Sequence, residues 1–268
     1  MKEERIRELL QAKTKKIEKL YREVSPFYEV EVIHRFRTST KQLRAFIRLL
    51  NEESKGRKFS LSNKFKHGYQ IAGRIRDIQL LQVKIVDEWK VSVPVFYDYL
   101  TQNLLQLKTA WEVHFHANAK KKILKGKNAN IEIGMSDEQF RNLFVEGIDD
   151  VKKLAESLTD EGLHEVRKRI KDMLYNLRMA KKEWGRGIES LQDLPLNELE
   201  ELARLLGDFN DSSIIHQTLS AFKSPAIQEA EGNVLNDLAQ KEWRHHLIQK
   251  EKIHGRLKSF VAMNRPGN

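Results

Sequence analysis

The chain has 268 residues, of which 40% are hydrophobic and 32% charged, as is typical of globular domains rich in helix. It contains no cysteine, which excludes disulfide frameworks, cysteine-ligated zinc sites and thiol nucleophiles. The start of the chain carries mixed charge, and no uninterrupted apolar run of about 18 residues occurs. We therefore expect neither a secretory signal nor a membrane span, and predict a soluble, cytoplasmic protein.

The net charge of +10 is concentrated in one part of the chain. Between Val32 and Arg76 there are 12 lysine and arginine residues against only Glu52 and Glu53, whereas the rest of the chain is neutral. Such a concentration creates a positive field that favours an anionic partner. A solvated basic surface without a partner is the alternative interpretation.

Helix signals recur along the chain, and the alternation typical of strands is nearly absent, so we predict an all-α protein with eight helices. Ser25-Pro26 and Ser224-Pro225 each place a capping hydroxyl before a proline suited to the first helical position. Ser136 and Gln139 have the spacing of a capping box. The predicted helices span residues 2–24, 27–51, 60–88, 94–124, 136–158, 161–185, 195–220 and 225–262.

Residues 125–135 form the one credible linker, in which residues 131–133 could be a short extended piece. This linker divides the chain into residues 1–124 and 136–262, with four predicted helices each. Two landmarks recur in both parts: the segment that begins at His34 has a counterpart 130 residues later, and the segment from Gly73 to Asp77 has one 134 residues later. The same order at nearly the same offset indicates that a four-helix unit was duplicated.

Cationic side chains follow one edge of the second predicted helix. At 100° per residue, Arg37, Lys41, Arg44 and Arg48 lie within about 80° of His34, and the apolar side chains occupy the adjoining arc. These five residues, here called the first stripe, would therefore line a groove beside the core. The first stripe extends roughly 21 Å at 1.5 Å per residue.

The sixth predicted helix repeats this arrangement. Arg167, Lys168, Lys171 and Arg178 lie within about 60° of His164, and the five residues form the second stripe. Like charges three or four positions apart repel by a few tenths of a kcal/mol per pair. Either carboxylates from other helices or a bound polyanion must compensate for this repulsion.

Both stripes suit phosphate groups, because arginine offers a planar fork of donors and lysine a compact charge. Arg74 and Arg76 of the third predicted helix are further candidate contacts for phosphate. Tyr175 is the only aromatic residue on the basic arcs, whereas proteins that bind single-stranded nucleic acid usually offer several stacking rings. We therefore predict a partner that is a long polyanion without bases, with the nucleic-acid backbone as the alternative.

These residues resemble the CHAD family, the conserved-histidine α-helical domain. The mark of that family is a helix that carries a histidine and then several cations at fixed spacing, followed later by a glycine–aspartate segment, all present twice. The first copy here is His34, Arg37, Lys41 and Arg44 with residues 73–77, and the second is His164, Arg167, Lys171 and Tyr175 with residues 206–211.

The resemblance covers almost the whole chain and implies one domain over residues 1–268, built from two four-helix bundles about a pseudo-two-fold axis. It also implies a basic central cavity that binds inorganic polyphosphate, and with it an association with polyphosphate granules. Leu174 stands where the second copy usually has arginine, so we expect the second stripe to bind more weakly. The predicted polyphosphate-binding residues are His34, Arg37, Lys41, Arg44, Arg48, Arg74, Arg76, His164, Arg167, Lys168, Lys171 and Arg178.

Other roles for these residue types are less well supported by the sequence. A histidine at the start of a basic stripe is expected to contact phosphate or to form a hydrogen bond in helix packing, so we predict no metal at His34 or His164 and no cofactor. Asp77 and Asp211 suit structural ion pairs, and no nucleophile, base and orienting group can be assembled, so we predict a binding protein and not an enzyme. Gly73 and Gly207 are expected to permit close helix approach, and His114, His116, His245 and His246 to lie on the surface.

Overall fold

The structure, a computed structural model, describes residues 2–53, 59–118, 122–125, 135–156, 159–184 and 195–263. Eight α-helices account for nearly all of these residues and confirm the predicted all-α class. The chain divides into two compact units, Met1–Met135 and Ser136–Asn268. The first unit contains α1 (Glu3–Glu23), α2 (Val30–Glu53), α3 (Asn63–Val83) and α4 (Pro94–Asn118), and the second contains α5 (Asp137–Leu154), α6 (Asp160–Trp184), α7 (Leu196–Ala221) and α8 (Glu229–Met263).

An aromatic cluster that takes one ring from each helix forms the core of the first unit. Tyr21 of α1 lies 4.9 Å from Trp111 of α4 and 5.8 Å from Phe36 of α2, measured between ring centroids. Phe65 of α3 completes the cluster at 5.9 Å from Phe36, in an edge-to-face arrangement. Such pairs stabilise by about 0.5–1.5 kcal/mol beyond their buried area. The cluster therefore fixes the face of α2 that the first stripe borders.

The two Ser-Pro sequences do not open helices directly, which corrects the predicted starts of α2 and α8. Each forms a turn, and the helices begin four residues after the prolines, at Val30 and Glu229. Ser25 Oγ donates a hydrogen bond to Glu112 Oε1 at 2.5 Å instead of capping α2. Its hydroxyl thus ties the turn to α4 rather than to the next helix.

The predicted third helix ends as a π-helical turn, Lys84–Trp89, after which Lys90 takes a left-handed φ of 53°. Two short strands were not predicted: Ser60–Leu61 (β1) pairs antiparallel with Leu124–Lys125 (β2). The predicted end of the fourth helix at residue 124 is therefore wrong. Residues 126–134 of the predicted linker, including the extended piece at 131–133, lie outside the described residues.

Polar and aromatic groups of α8 close the core of the second unit. The His246 ring is only 1% exposed and stacks on Phe209 and Trp243 at centroid distances of 4.1 and 5.0 Å. Its Nε2 atom lies 3.2 Å from Asp160 Oδ2 at the start of α6, and Lys250 Nζ lies 2.5 Å from Asp160 Oδ1. The prediction of a surface position was therefore wrong for His246, because the ring is needed as a packing element.

The capping box predicted at the start of α5 is confirmed. Ser136 Oγ accepts from the Gln139 backbone N–H at 3.1 Å, and Gln139 Oε1 accepts from the Ser136 N–H at 2.8 Å. Within the part of the chain that the structure describes, no helix is long and apolar enough to cross a membrane.

Candidate functional site

The first stripe lies along α2, next to the buried face of that helix. His34, Arg44 and Arg48 are exposed, whereas Arg37 and Lys41 are half-buried. The apolar positions of the neighbouring arc are buried, with exposures of 0–5% at Ile33, Phe36, Leu43, Phe46, Ile47 and Leu50. The predicted division of α2 into a basic arc beside an apolar arc is therefore confirmed.

The side chain of Arg37 extends from α2 onto α3. Its Cζ atom lies 5.1 Å from the centroid of the Tyr69 ring, within the range of a cation–π contact. A methyl group added at Gly73, one helical turn further along α3, would overlap Arg37 Nη1 and come within 3.1 Å of Cζ. Gly73 thus permits close approach, as predicted, but the group that approaches is a guanidinium.

Arg44 reaches the same aromatic ring. Its Cζ atom lies 5.8 Å from the Tyr69 centroid, so two cations that are two helical turns apart on α2 converge on one side chain of α3. An open pocket of about 490 Å³ adjoins this contact. The residues that line it are Arg37, His67, Tyr69, Gln70, Ile71, Gly73, Arg74 and Asp77.

Arg76 differs from the other predicted cations of the first unit. Its Nη1 atom donates a 3.1 Å hydrogen bond to the Val30 carbonyl, which joins α3 to the start of α2. Burial lowers the pKa of the Arg76 guanidinium, and the nearby Glu31 and Asp77 carboxylates partly oppose this effect. Arg74, by contrast, is exposed and lines the pocket. Arg76 therefore holds a structural contact, and its predicted role toward a ligand stays a prediction.

The second stripe lies along α6, and carboxylates partner two of its cations. Lys168 Nζ lies 2.7 Å from Glu165 Oε1 on the same helix, and Arg178 Nη2 lies 2.9 Å from Glu200 Oε1 of α7. Of the two predicted sources of compensation, carboxylates are present here. The positive potential of the second stripe is correspondingly reduced.

The remaining cations of the second stripe influence each other through their charges. Burial, and then the charges of Arg167 and Arg178, lower the pKa of Lys171, while Asp211 and Asp208 partly offset the shift. Burial and the charges of Lys168 and Arg167 likewise lower the pKa of His164. An unoccupied second stripe therefore favours the neutral form of this imidazole.

Two positions of the second unit bear on the predictions, and one of them, Gly207, contradicts its prediction. Leu174 is 3% exposed, so it belongs to the core and not to the groove. A methyl group added at Gly207 would meet no atom of the described chain within 4 Å, so this glycine does not serve close helix approach there. Asp211 is exposed and accepts a 3.3 Å hydrogen bond from Asn210 Nδ2.

Three residues that line the pocket beside Arg37 were not predicted from the sequence: His67, Tyr69 and Gln70. Tyr69 and Gly73 are four residues apart on α3, a spacing that places them on one face, and this was the available signal. His114 was predicted on the surface, but it is half-buried and its ring centroid lies 5.0 Å from that of His67. Among the described residues, no three histidine or carboxylate side chains are grouped as metal ligands.

This chain is similar to a known protein family and to solved structures. Residues 6–220 match the family model described as the CHAD domain. The crystal structure of the CHAD domain from the plant Ricinus communis is similar, with a TM-score of 0.65 and 14% identity over 93% of this chain and 89% of that one. PptA from Streptomyces chartreusis is also similar, with a TM-score of 0.53 and 14% identity over 93% and 96% of the two chains. No curated protein matches by sequence.

Proposed function

Because the chain belongs to the CHAD domain family, we propose that it binds inorganic polyphosphate through the first and second stripes. The observation that carries this proposal is the convergence of Arg37 and Arg44 on Tyr69, beside an open pocket of about 490 Å³. A row of cations beside an open pocket suits a ligand that carries a negative charge on every repeating unit. Polyphosphate is such a ligand.

The first stripe is proposed as the stronger of the two binding surfaces. Arg37 and Arg44 both contact the Tyr69 ring, and Arg37 also lines the open pocket. In the second stripe, Glu165 and Glu200 already partner Lys168 and Arg178. A phosphate chain must compete with these carboxylates, which reduces the net gain from binding.

We further propose that the protein binds polyphosphate without hydrolysing it, and that it resides in the cytoplasm, where polyphosphate granules would recruit it. The nucleic-acid backbone is the competing ligand, since it is recognised by the same charge-assisted contacts. The base-free ligand is preferred because the aromatic ring nearest the first stripe, that of Tyr69, is engaged by two guanidinium groups.

Titration calorimetry with polyphosphate of defined chain length tests the proposal. We expect saturable binding that neither DNA nor RNA of equal charge displaces at equimolar phosphate. Displacement by nucleic acid would transfer the proposal to the nucleic-acid backbone. Release of orthophosphate, measured with and without a divalent metal ion, would identify a hydrolase and contradict the non-enzymatic role.

A further inference from the structure

Two residues of α3 receive the guanidinium of Arg37. The Tyr69 ring lies 5.1 Å from Cζ, and Gly73 leaves open the volume that Nη1 occupies. A side chain of any size at position 73 would need this volume, so the guanidinium and a Cβ atom exclude each other. Arg37 is half-buried at this point, which limits the alternative positions of its side chain.

We propose that Tyr69 and Gly73 form a cradle that fixes the Arg37 guanidinium at the pocket, and that both are positioning residues for the binding of phosphate groups by Arg37. This inference rests on the proposed function. A free arginine side chain loses rotamer entropy when it binds a ligand, and a cradle removes this loss before the ligand arrives. Such fixing matters most for the planar guanidinium group of an arginine, because its N–H donors must match phosphate oxygens in direction as well as in distance.

The pocket beside Arg37 contains a second arginine, Arg74. Arg74 follows Gly73 directly in sequence, is exposed and lines the same pocket as Arg37. His67 and Gln70, also on α3, add further polar groups to the lining. A cradled Arg37 and an adjacent Arg74 can therefore contact neighbouring phosphate groups of one chain, which gives the pocket the character of a subsite for consecutive phosphates.

The second unit provides an internal comparison. The residue 134 positions after Tyr69 is Ala203, and the residue 134 positions after Gly73 is Gly207. Ala203 has no ring to offer, and a Cβ atom at Gly207 would have no neighbour within 4 Å among the described residues. Gly207→Ala is therefore a matched control for Gly73→Ala: both place a methyl group within a helix, but only one of them displaces an arginine.

The test is a double-mutant cycle of Gly73→Ala and Arg37→Ala, with polyphosphate affinity and melting temperature measured for every variant. We expect Gly73→Ala and Arg37→Ala each to weaken binding by about tenfold, the effect of one charge-assisted contact, and the double variant to be no weaker than either single one. Gly207→Ala should bind within about twofold of the wild type. Tyr69→Phe should keep the affinity, whereas Tyr69→Leu should reduce it as Gly73→Ala does.

Melting temperature gives a readout that does not depend on the ligand. Alanine favours helix over glycine, so Gly73→Ala should raise the melting temperature more in the Arg37→Ala background than in the wild type. If Gly73→Ala raised the melting temperature equally in the wild type and in Arg37→Ala, the cradle would be contradicted. It would also be contradicted if the affinity loss of the double variant equalled the product of the losses of the two single variants. A wild-type protein that does not bind polyphosphate would overturn the proposed function, while the increments in melting temperature would still decide whether the cradle exists.

Discussion

At the scale of single residues, we expect His164 to couple proton binding to ligand binding. Burial and the cations Lys168 and Arg167 lower its pKa in the free protein, so the imidazole is neutral at pH 7. The negative charges of bound polyphosphate would raise that pKa, and linkage would then require affinity to increase as pH falls toward the lowered value.

We therefore expect polyphosphate to bind more tightly as pH falls from 7 toward the lowered pKa of His164 in the free protein, with part of the increase absent in His164→Gln. NMR titration of the imidazole with and without polyphosphate measures the shift directly. His245→Gln, which removes an exposed histidine of α8, is the control and should keep the wild-type pH dependence. An unchanged His164 titration in the presence of ligand would remove this residue from the site.

Glu112 is a second residue whose protonation has a predictable consequence. Hydrogen bonds from Ser25 and Tyr28, each 2.5 Å long, lower the pKa of its carboxyl. The stabilisation is therefore present above the ordinary carboxyl pKa and is lost as pH falls through the lowered value. These hydrogen bonds connect the turn before α2 to α4.

Tyr28→Phe should reduce the free energy of unfolding by about 1 kcal/mol at pH 7, since one hydrogen bond to a partly exposed carboxylate is removed. Urea unfolding at pH 7 and at pH 3 measures the difference between variant and wild type. We expect a smaller difference at pH 3, where Glu112 is protonated in a larger share of molecules. An equal loss at both pH values would attribute the effect to packing of the ring.

At the scale of elements, α2 and α6 carry similar numbers of cations in different surroundings. Arg37, Lys41 and Arg44 changed together to alanine should weaken polyphosphate binding by about two- to fivefold more than the same change of Arg167, Lys171 and Arg178. The reason is that the Glu200 carboxylate already partners Arg178. Circular dichroism checks that both helices still form. Equal losses in folded variants would contradict the unequal roles of the two stripes.

The variant Leu174→Arg tests how much a charge in the buried face of α6 lowers the free energy of unfolding. The position is 3% exposed, so Leu174→Arg should lower the free energy of unfolding by about 3 kcal/mol or more instead of strengthening the second stripe. Leu105→Arg on α4 is the control, because Leu105 is 66% exposed and the change should cost less than about 0.5 kcal/mol. Tighter polyphosphate binding by a stable Leu174→Arg protein would show that the position faces the ligand after all.

At the scale of the whole molecule, binding should depend on salt. Each phosphate contact by a lysine or arginine releases counterions, so the logarithm of the binding constant should fall linearly with the logarithm of salt concentration, with a slope of about 0.7 per contact for a single chain. Titrations between low and physiological salt measure this slope. A flat response would indicate a neutral pocket for a small ligand and contradict binding through the stripes.

The sequence was sufficient for the number of helices in the described chain and for the basic arc of α2, because apolar periodicity acts locally, but not for the starts of α2 and α8, where the Ser-Pro sequences form turns. It was insufficient for the short strands, since the pairing of Leu61 with Leu124 depends on the fold and not on local preference. Tyr69 was missed because its partners Arg37 and Arg44 lie on another helix. Leu174 lies at about 280° from His164 on the helical wheel, between the basic and apolar arcs of α6, so only packing against neighbouring helices could assign it to the core.

The volume shared by Arg37 and position 73 also constrains how this protein can change over evolutionary time. A lineage that first loses Arg37 frees position 73 to accept alanine, which the helix favours. The reverse order passes through an intermediate in which the arginine is displaced, so selection for ligand binding would remove it. Gly73 is therefore expected to persist wherever Arg37 persists, and to be replaced only in descendants that have already lost the arginine.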